Sequence, residues 1–111
     1  MRIGNEVKLI GNLGRDVEVR EFSKGKKLAQ VSLATQNVYR NKDGEKVVDV
    51  QWHTLKAWGK TAELMEKLLS KGKRIAVTGR LTYNDYEDKN GNKRRSSEIL
   101  VSEFMLLSKK S

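Results

Sequence analysis

An all-β protein, folded as one small closed barrel, is the fold class that the sequence predicts. Short runs of alternating apolar and polar residues recur between clusters of Gly, Asn, Asp and Lys, which is typical of an antiparallel sheet rather than of βαβ units. Gly11, Gly14 and Gly79 interrupt strand-like runs, at positions where a glycine lets a sheet bend sharply. With 111 residues, the chain has the usual size of one domain.

The alternating runs place six strands, with ends defined to within about 2–4 residues. They lie at roughly 6–13, 16–22, 28–38, 46–58, 73–86 and 93–106. The second run can equally be a continuation of the first. Two hairpin tips are predicted at Asp43-Gly44 and Asn90-Gly91, because these pairs readily supply the positive φ angles of primed turns.

One helix is predicted at about 61–70, where four apolar residues share a face: Ala62, Met65, Leu68 and Leu69. Thr61 is the expected N-cap, Lys71-Gly72 is the expected C-terminal end, and the apolar face should plug one end of the barrel. When the first two runs are counted as one strand, this helix lies between the third and fourth main strands and is followed by a long hairpin. That is the order of an OB-fold, a five-stranded Greek-key barrel. We assign this domain to residues 1–107 and a short basic end to residues 108–111.

Composition narrows the classes of function. The 23 Lys and Arg residues exceed the 14 Asp and Glu residues, which gives a formal net charge of +9 and favours polyanionic partners. No apolar run approaches the roughly 20 residues of a membrane span, and no targeting segment is visible, so we expect a cytoplasmic protein with no membrane partner. The chain has no cysteine and a single histidine, which excludes thiol nucleophiles and thiolate metal sites.

No residues form a plausible catalytic or metal site. His53 and Asp49 share a strand face but stand about 13 Å apart, which is beyond hydrogen-bond reach. Asp85, Glu87 and Asp88 cluster near the second hairpin tip, where flanking lysines favour a solvated hairpin over a metal site. We therefore expect no enzymatic activity, no metal and no cofactor.

Residues 50–60, VQWHTLKAWGK, predict a strand whose two faces differ in chemistry. Alternation places Trp52, Lys56 and Trp58 on one face and His53 on the other. Because a lysine is costly to bury unless it is paired, the tryptophan face should be in contact with water. His53 should be packed in the core or at a subunit contact.

Aromatic residues beside cations indicate a single-stranded nucleic acid as the partner, since exposed rings stack on bases while cations neutralise the phosphates between them. The predicted base-stacking residues are Tyr39, Trp52, Trp58 and Tyr86. The predicted phosphate contacts are Lys8, Arg15, Arg40, Lys56, Arg80, Lys93 and Arg94. Duplex DNA is a poorer target, because no helix-turn-helix motif or zinc ligand set is visible.

Three other functions stay open on these residues. An RNA-binding OB module would use the same platforms, because stacking does not distinguish RNA from DNA without a contact to the 2′-OH. A protein-interaction subunit could use the Trp52/Trp58 face, since tryptophan is enriched at interface hot spots, but it explains the net charge of +9 less well. A hydrolase or nuclease is the weakest alternative.

Four stretches resemble the bacterial single-stranded DNA-binding protein family, over about residues 5 to 106. They are VKLIGNLGRDVEVR at 7–20, VSLATQNVYR at 31–40, QWHTLKAWGKTAE at 51–63 and KGKRIAVTGRLTY at 71–83. The resemblance implies a non-enzymatic, nucleoid-associated OB-fold subunit of a homotetramer. Such a protein wraps single-stranded DNA without sequence preference during replication, recombination and repair.

The resemblance also implies roles for individual residues. The family's stacking aromatics match Tyr39, Trp52, Trp58 and Tyr86, and its WH histidine near the subunit interface matches His53. The family often has tryptophan at the first and last aromatic positions, so tyrosine there implies weaker stacking. Family members typically continue into a flexible tail with an acidic end that recruits replication and repair proteins. This chain ends at LLSKKS, as a member without the tail or a truncated form, which puts such recruitment in doubt.

Overall fold

Strands account for most of the protein in the computed structural model, which describes residues 4–107. The strands are β1 (Val7–Leu13), β2 (Glu18–Phe22), β3 (Lys26–Arg40), β4 (Lys46–Trp58), β5 (Arg74–Glu87) and β6 (Lys93–Leu106). The helix α1 (Gly59–Leu68) lies between β4 and β5, and a 3₁₀ helix (Ser23–Gly25) joins β2 to β3. Residues 1–3 of the predicted domain and the predicted basic end at 108–111 lie outside the described residues.

The strands form one sheet that closes on itself. Its order is β1-β5-β6-β4-β3-β2, and an additional pairing of β1 with β3 closes the barrel. β1 pairs with β3 as far as Leu13↔Leu33, and β2 resumes the pairing at Glu18↔Gln30. Because residues 14–17 lie opposite only residues 31–32, the chain bulges between the two segments. β1 and β2 are therefore two halves of one strand, which confirms the predicted five-stranded OB-fold barrel with its helix between the third and fourth strands.

Inward-facing side chains of the strands, together with α1, form the core. The largest fully buried side chains are Leu33, Leu55, Met65, Ile75 and Val31. Val31 and Leu55 are paired across β3 and β4, so alternate residues of both strands point into the barrel. No polar or charged residue is buried among residues 4–107, so this core is apolar throughout.

The helix closes one end of the barrel, as predicted, with two corrections. It begins at Gly59, whose φ of 60° turns the chain directly out of β4, so the expected N-cap Thr61 is wrong and Trp58 occupies that position without a side-chain cap bond. Ala62, Met65 and Leu69 are buried, but Leu68 is 47% exposed. Leu69 has extended backbone as the C-cap, so it returns to the core while Leu68 points away.

Past this helix, a turn leads into β5. Gly72, with a φ of 88°, lies in that turn rather than at the helix end. α1 has 10 residues, and no helix in the described part of the chain is long and apolar enough to cross a membrane.

Both predicted hairpins are present, but their turns are not of the primed type. Gly44 and Gly91 have φ angles of 77° and 79°, whereas the preceding Asp43 and Asn90 do not have positive φ. The Gly44 N–H donates to the Asn41 carbonyl at 3.0 Å, which is the pattern of a type I turn followed by a left-handed glycine. Side-chain oxygens explain the choice, because Asn41 and Asp88 each accept two backbone N–H groups across their own turns.

The predicted glycine bends fall where two backbones approach closely. A Cβ on Gly79 would collide with the backbone carbonyl of Leu100, and the β5–β6 register shifts between Thr78 and Gly79. A Cβ on Gly11 would collide with the carbonyl of Ala34 on β3. These glycines therefore allow the tight curvature that closes a small barrel.

Candidate nucleic-acid interface

The outside of β4, β6 and β5 carries the candidate site, and we call it the outer face: Trp52, Lys56 and Trp58 of β4, Glu98 of β6 and Tyr86 of β5. Buried Leu55 and Ile99 are paired between β4 and β6, so the next pair, Lys56 and Leu100, points outward. Trp52 and Trp58 share the parity of Lys56 and are 63% and 49% exposed. The predicted wet tryptophan face is confirmed.

Tyr86 lies further along the same face. The β5–β6 register pairs Thr82 with Glu98 and Tyr86 with Arg94, which places Tyr86 on the side of Glu98. The ring is half exposed beside a shallow groove of about 530 Å³ at the hairpin tip. Three of the four predicted stacking residues therefore share one surface.

Tyr39 is the exception among the predicted stacking residues. On β3 it pairs with Val47, whereas Ala34 pairs with Trp52. Paired residues share a face and neighbours alternate, so Tyr39 projects from the side of the β3–β4 hairpin that continues the inward face of Leu33. A strand stacked on Trp52 reaches Tyr39 only by passing around this hairpin.

The lysine between the two tryptophans has a partner that the sequence did not reveal. Lys56 Nζ lies 2.7 Å from Glu98 Oε2, and the two side chains are 23% and 13% exposed. The pair crosses from β4 to β6, two strands that meet only in the folded barrel. Lys56 is therefore held in place on the outer face, and a phosphate must compete with Glu98 for its charge.

The other predicted phosphate contacts differ in their surroundings. Four of them interact within the chain: Lys8 with Glu6 at 3.4 Å, Arg15 with Glu18 at 3.3 Å, Arg94 with Asp88 at 3.0 Å, and Arg40 with the Gly44 carbonyl at 2.9 Å. Arg80 and Lys93 are exposed and have no ion-pair partner in the region from residue 4 to residue 107. All these contacts stay predictions.

Two ion pairs lie at the β5–β6 tip. Arg94 donates to the Asp88 carboxylate, and with the backbone N–H of Asn92 it holds the pKa of Asp88 below its usual range. On the other side of this hairpin, the guanidinium of Arg95 donates to Asp85 at 2.9 Å, which raises the pKa of Arg95, and lies 5.5 Å from the centre of the Tyr83 ring. Two of the three acidic residues near this tip, Asp85 and Asp88, are thus paired with arginines.

The backbone of Gly14 lies directly beneath the indole ring of Trp52. A Cβ on Gly14 would stand 2.5 Å from Cζ3 and 2.9 Å from Cη2 of the indole, so the ring rests directly on the glycine backbone. That backbone is fixed in turn, because the Gly14 N–H donates to the Ser32 carbonyl at 3.0 Å. The bulge between β1 and β2 therefore supports an exposed indole from beneath.

Trp58 also has an aromatic neighbour that the sequence did not single out. The rings of Phe22 and Trp58 have centroids 5.8 Å apart and planes inclined by 39°. Phe22 ends β2 and Trp58 ends β4, so the two rings meet across β3. Alternation from Arg20 to Phe22 on β2 was the available signal, but only the barrel register brings this residue to Trp58.

His53 lies on the inward side of β4, as predicted. It is half-buried, and its Nε2 shares a hydrogen bond of 2.9 Å with Thr35 Oγ1. This contact lies within one protomer, and the role of His53 at a subunit interface stays a prediction.

Half-exposed aromatic rings interleaved with cations on the outside of an OB-fold barrel are typical of proteins that bind single-stranded nucleic acids. The chain belongs to the single-strand binding protein family, whose model matches residues 4–107. It is 39% identical over 107 residues to single-stranded DNA-binding protein 1 of Xylella fastidiosa strain 9a5c, covering 96% of this chain and 79% of that protein.

Two further comparisons agree with this assignment. A single-stranded DNA-binding protein of Xylella fastidiosa strain Temecula1 is 33% identical over 107 residues, with 96% of this chain and 65% of that protein covered. The fold matches a Plasmodium falciparum SSB solved in complex with ssDNA, at a TM-score of 0.88 and 26% identity, covering 97% of this chain and 98% of that one.

Proposed function

We propose that the protein binds single-stranded DNA without sequence preference and protects it during replication, recombination and repair. The observation that carries this proposal is the outer face, where two exposed tryptophans flank a lysine on a strand whose other side is core. Exposed aromatic rings grouped on one face mark an interaction surface, and every base offers a flat surface for stacking. The relatives named above, a single-stranded DNA-binding protein and an SSB solved in complex with ssDNA, support the same partner.

Binding would combine two physical terms. Stacking contributes about 1–3 kcal/mol per base and tolerates any sequence, so Trp52, Trp58 and Tyr86 would supply the part of the affinity that resists salt. Cations would neutralise phosphates, and each phosphate engaged changes the slope of log K against log salt by about −0.7. With a net charge of +9, the protein attracts the strand before it stacks. The activity is binding and involves no chemical step.

We further propose a homotetramer, a nucleoid-associated location and Tyr39 as a fourth platform. Exposed apolar side chains support self-association: Ile10 of β1 and Met105 of β6 are 53% and 65% exposed. In such an assembly, a strand leaving the outer face of one protomer can reach a Tyr39 that faces another direction. Sedimentation of the purified protein at micromolar concentration tests the stoichiometry, and a monomer would contradict it.

Affinity measurements on outer-face variants test the proposed partner. We expect Trp52→Ala and Trp58→Ala each to weaken binding of an oligothymidylate by more than about 1 kcal/mol. Tyr83→Ala is the matched control, because Tyr83 is an exposed ring on the other side of the β5–β6 hairpin. Folded tryptophan variants that bind as tightly as the wild type would contradict the proposal.

Competition between nucleic acids separates the proposed function from its alternatives. The proposal predicts that single-stranded DNA displaces a labelled oligothymidylate at lower concentration than duplex DNA does, and at least as well as an RNA of equal length. A clear preference for RNA would assign the module to RNA instead. The absence of any binding at low salt would favour a protein partner for the tryptophan face.

A further inference from the structure

The corner where β2 turns into β3 carries an aromatic pair and cations that the outer face does not account for. We call it the β2–β3 corner: Arg20, Phe22, Lys24 and Lys26, with Trp58 as the shared residue. Phe22 and Trp58 contact each other at a centroid distance of 5.8 Å, yet each ring is about half exposed. The pair therefore keeps open ring surface next to the candidate interface.

The cations of this corner differ from the two arginines at the β5–β6 tip. Arg94 and Arg95 at that tip are each paired with an aspartate. Arg20, Lys24 and Lys26 are exposed and, within the described range 4–107, have no acidic side chain at ion-pair distance. Lys27 is different again, because it approaches Glu63 of α1 at 3.9 Å. Unpaired cations can bind a phosphate, and the open rings beside them can stack on the base next to that phosphate.

Backbone conformation adds a third feature. Lys24 has φ 70° and ψ 26° in the 3₁₀ helix that follows Phe22, and it is the one non-glycine residue with positive φ in the part of the chain that the structure describes. A side chain with a Cβ is disfavoured in this left-handed region, where glycine is the usual choice. The backbone conformation at position 24 therefore favours glycine, yet the residue there is a lysine.

We propose that the β2–β3 corner is a further nucleotide-binding subsite, with one base stacked on the Phe22/Trp58 pair and its phosphates held by Lys24, Lys26 and Arg20. This inference rests on the proposed binding of single-stranded DNA and adds a direction to it. The strand continues from Trp58 across β3 toward β2, instead of leaving the protein at Trp58. Charge complementarity and continuity with the outer face select single-stranded nucleic acid as the occupant.

Two variants test the subsite without endangering the fold. Phe22→Leu keeps an apolar side chain of similar size against Trp58 but removes the aromatic face, and we expect affinity for an oligothymidylate to fall about fivefold or more. Lys24→Gly removes the charge and relieves the left-handed strain, so the protein should be no less stable. We expect the slope of log K against log salt to become shallower by about 0.7. Lys67→Gln, at an exposed position of α1, is the matched control and should leave the slope nearly unchanged.

Photo-crosslinking distinguishes direct contact from indirect support of Trp58. After irradiation with an oligothymidylate and digestion by trypsin, Phe22 lies in peptide 21–24 and Trp58 in peptide 57–60. We expect nucleotide adducts on both peptides. Adducts on 57–60 alone, together with wild-type affinity of Phe22→Leu and a wild-type salt slope of Lys24→Gly, would overturn the subsite and leave the proposed function standing. A wild-type protein that binds no oligothymidylate would overturn both.

Discussion

Gly14→Ala tests whether the bulge between β1 and β2 positions Trp52 for stacking. A Cβ at this position would lie 2.5 Å from Cζ3 of the indole, whereas carbon atoms in contact prefer about 3.5–4.0 Å. The ring must therefore shift by about 1 Å or more, which its exposed position permits. Gly14 does not have positive φ, so alanine adds no backbone strain and the fold should be retained. We expect affinity for an oligothymidylate to fall by about 1 kcal/mol, the lower end of one stacking contact.

The assay for Gly14→Ala is a fluorescence-anisotropy titration, with two comparisons. Gly4→Ala is the matched control, because a Cβ there meets nothing within 4 Å. In a Trp52→Ala background the same Gly14→Ala change should have no further effect, since the ring that it displaces is gone. An equal loss of affinity in both backgrounds would refute the positioning role of Gly14.

Three further predictions follow from the electrostatics and packing. Glu98→Gln should release Lys56 from its 2.7 Å ion pair, so that binding tightens at low salt and the log–log salt slope steepens by about 0.7; an unchanged slope would rule out Lys56 as a phosphate contact. Because the folded pKa of Asp88 lies below the usual 3.8, its pairing stabilises the β5–β6 tip above that pH and is lost as pH falls through the folded value. Amide chemical shifts at the tip should report this loss below about pH 4, and Arg94→Gln should move it to higher pH; identical titrations of both proteins would contradict the assigned cause. Gly79→Ala should destabilise the protein by about 1–3 kcal/mol in urea unfolding, because a Cβ collides with the β6 backbone; wild-type stability would show that the barrel relaxes there.

Local patterns predicted the fold because an OB barrel alternates its apolar residues strand by strand. Val31, Leu33 and Leu55 fall at alternate positions and are all fully buried, so the strand faces follow from the sequence alone. The same alternation contained the signal for Tyr39, whose odd position continues the inward series of Val31 and Leu33. Tyr39 was grouped with the tryptophans by its neighbouring charge, and its parity places it on the opposite side of the β3–β4 hairpin from Trp52.

Contacts between strands that are far apart in the chain could not be predicted from the sequence. Lys56 meets Glu98 only because β4 and β6 lie parallel in the closed barrel, and Phe22 meets Trp58 only across β3. The turn types were missed for a local reason, since side chains of Asn41 and Asp88 satisfy backbone donors that a primed turn would arrange differently. The sequence therefore predicts which side chains are exposed better than it predicts which of them touch.

The central claim is that bases stack on the two tryptophans, and their own fluorescence tests it most directly. Trp58→Phe and Trp52→Phe leave one reporter each, so a titration with oligothymidylate at several salt concentrations reads the two positions separately. We predict strong quenching of both reporters that persists as salt rises, because stacking is far less sensitive to salt than phosphate contacts are. Binding without quenching at either tryptophan would mean that charge alone holds the strand, and would contradict this account of the outer face.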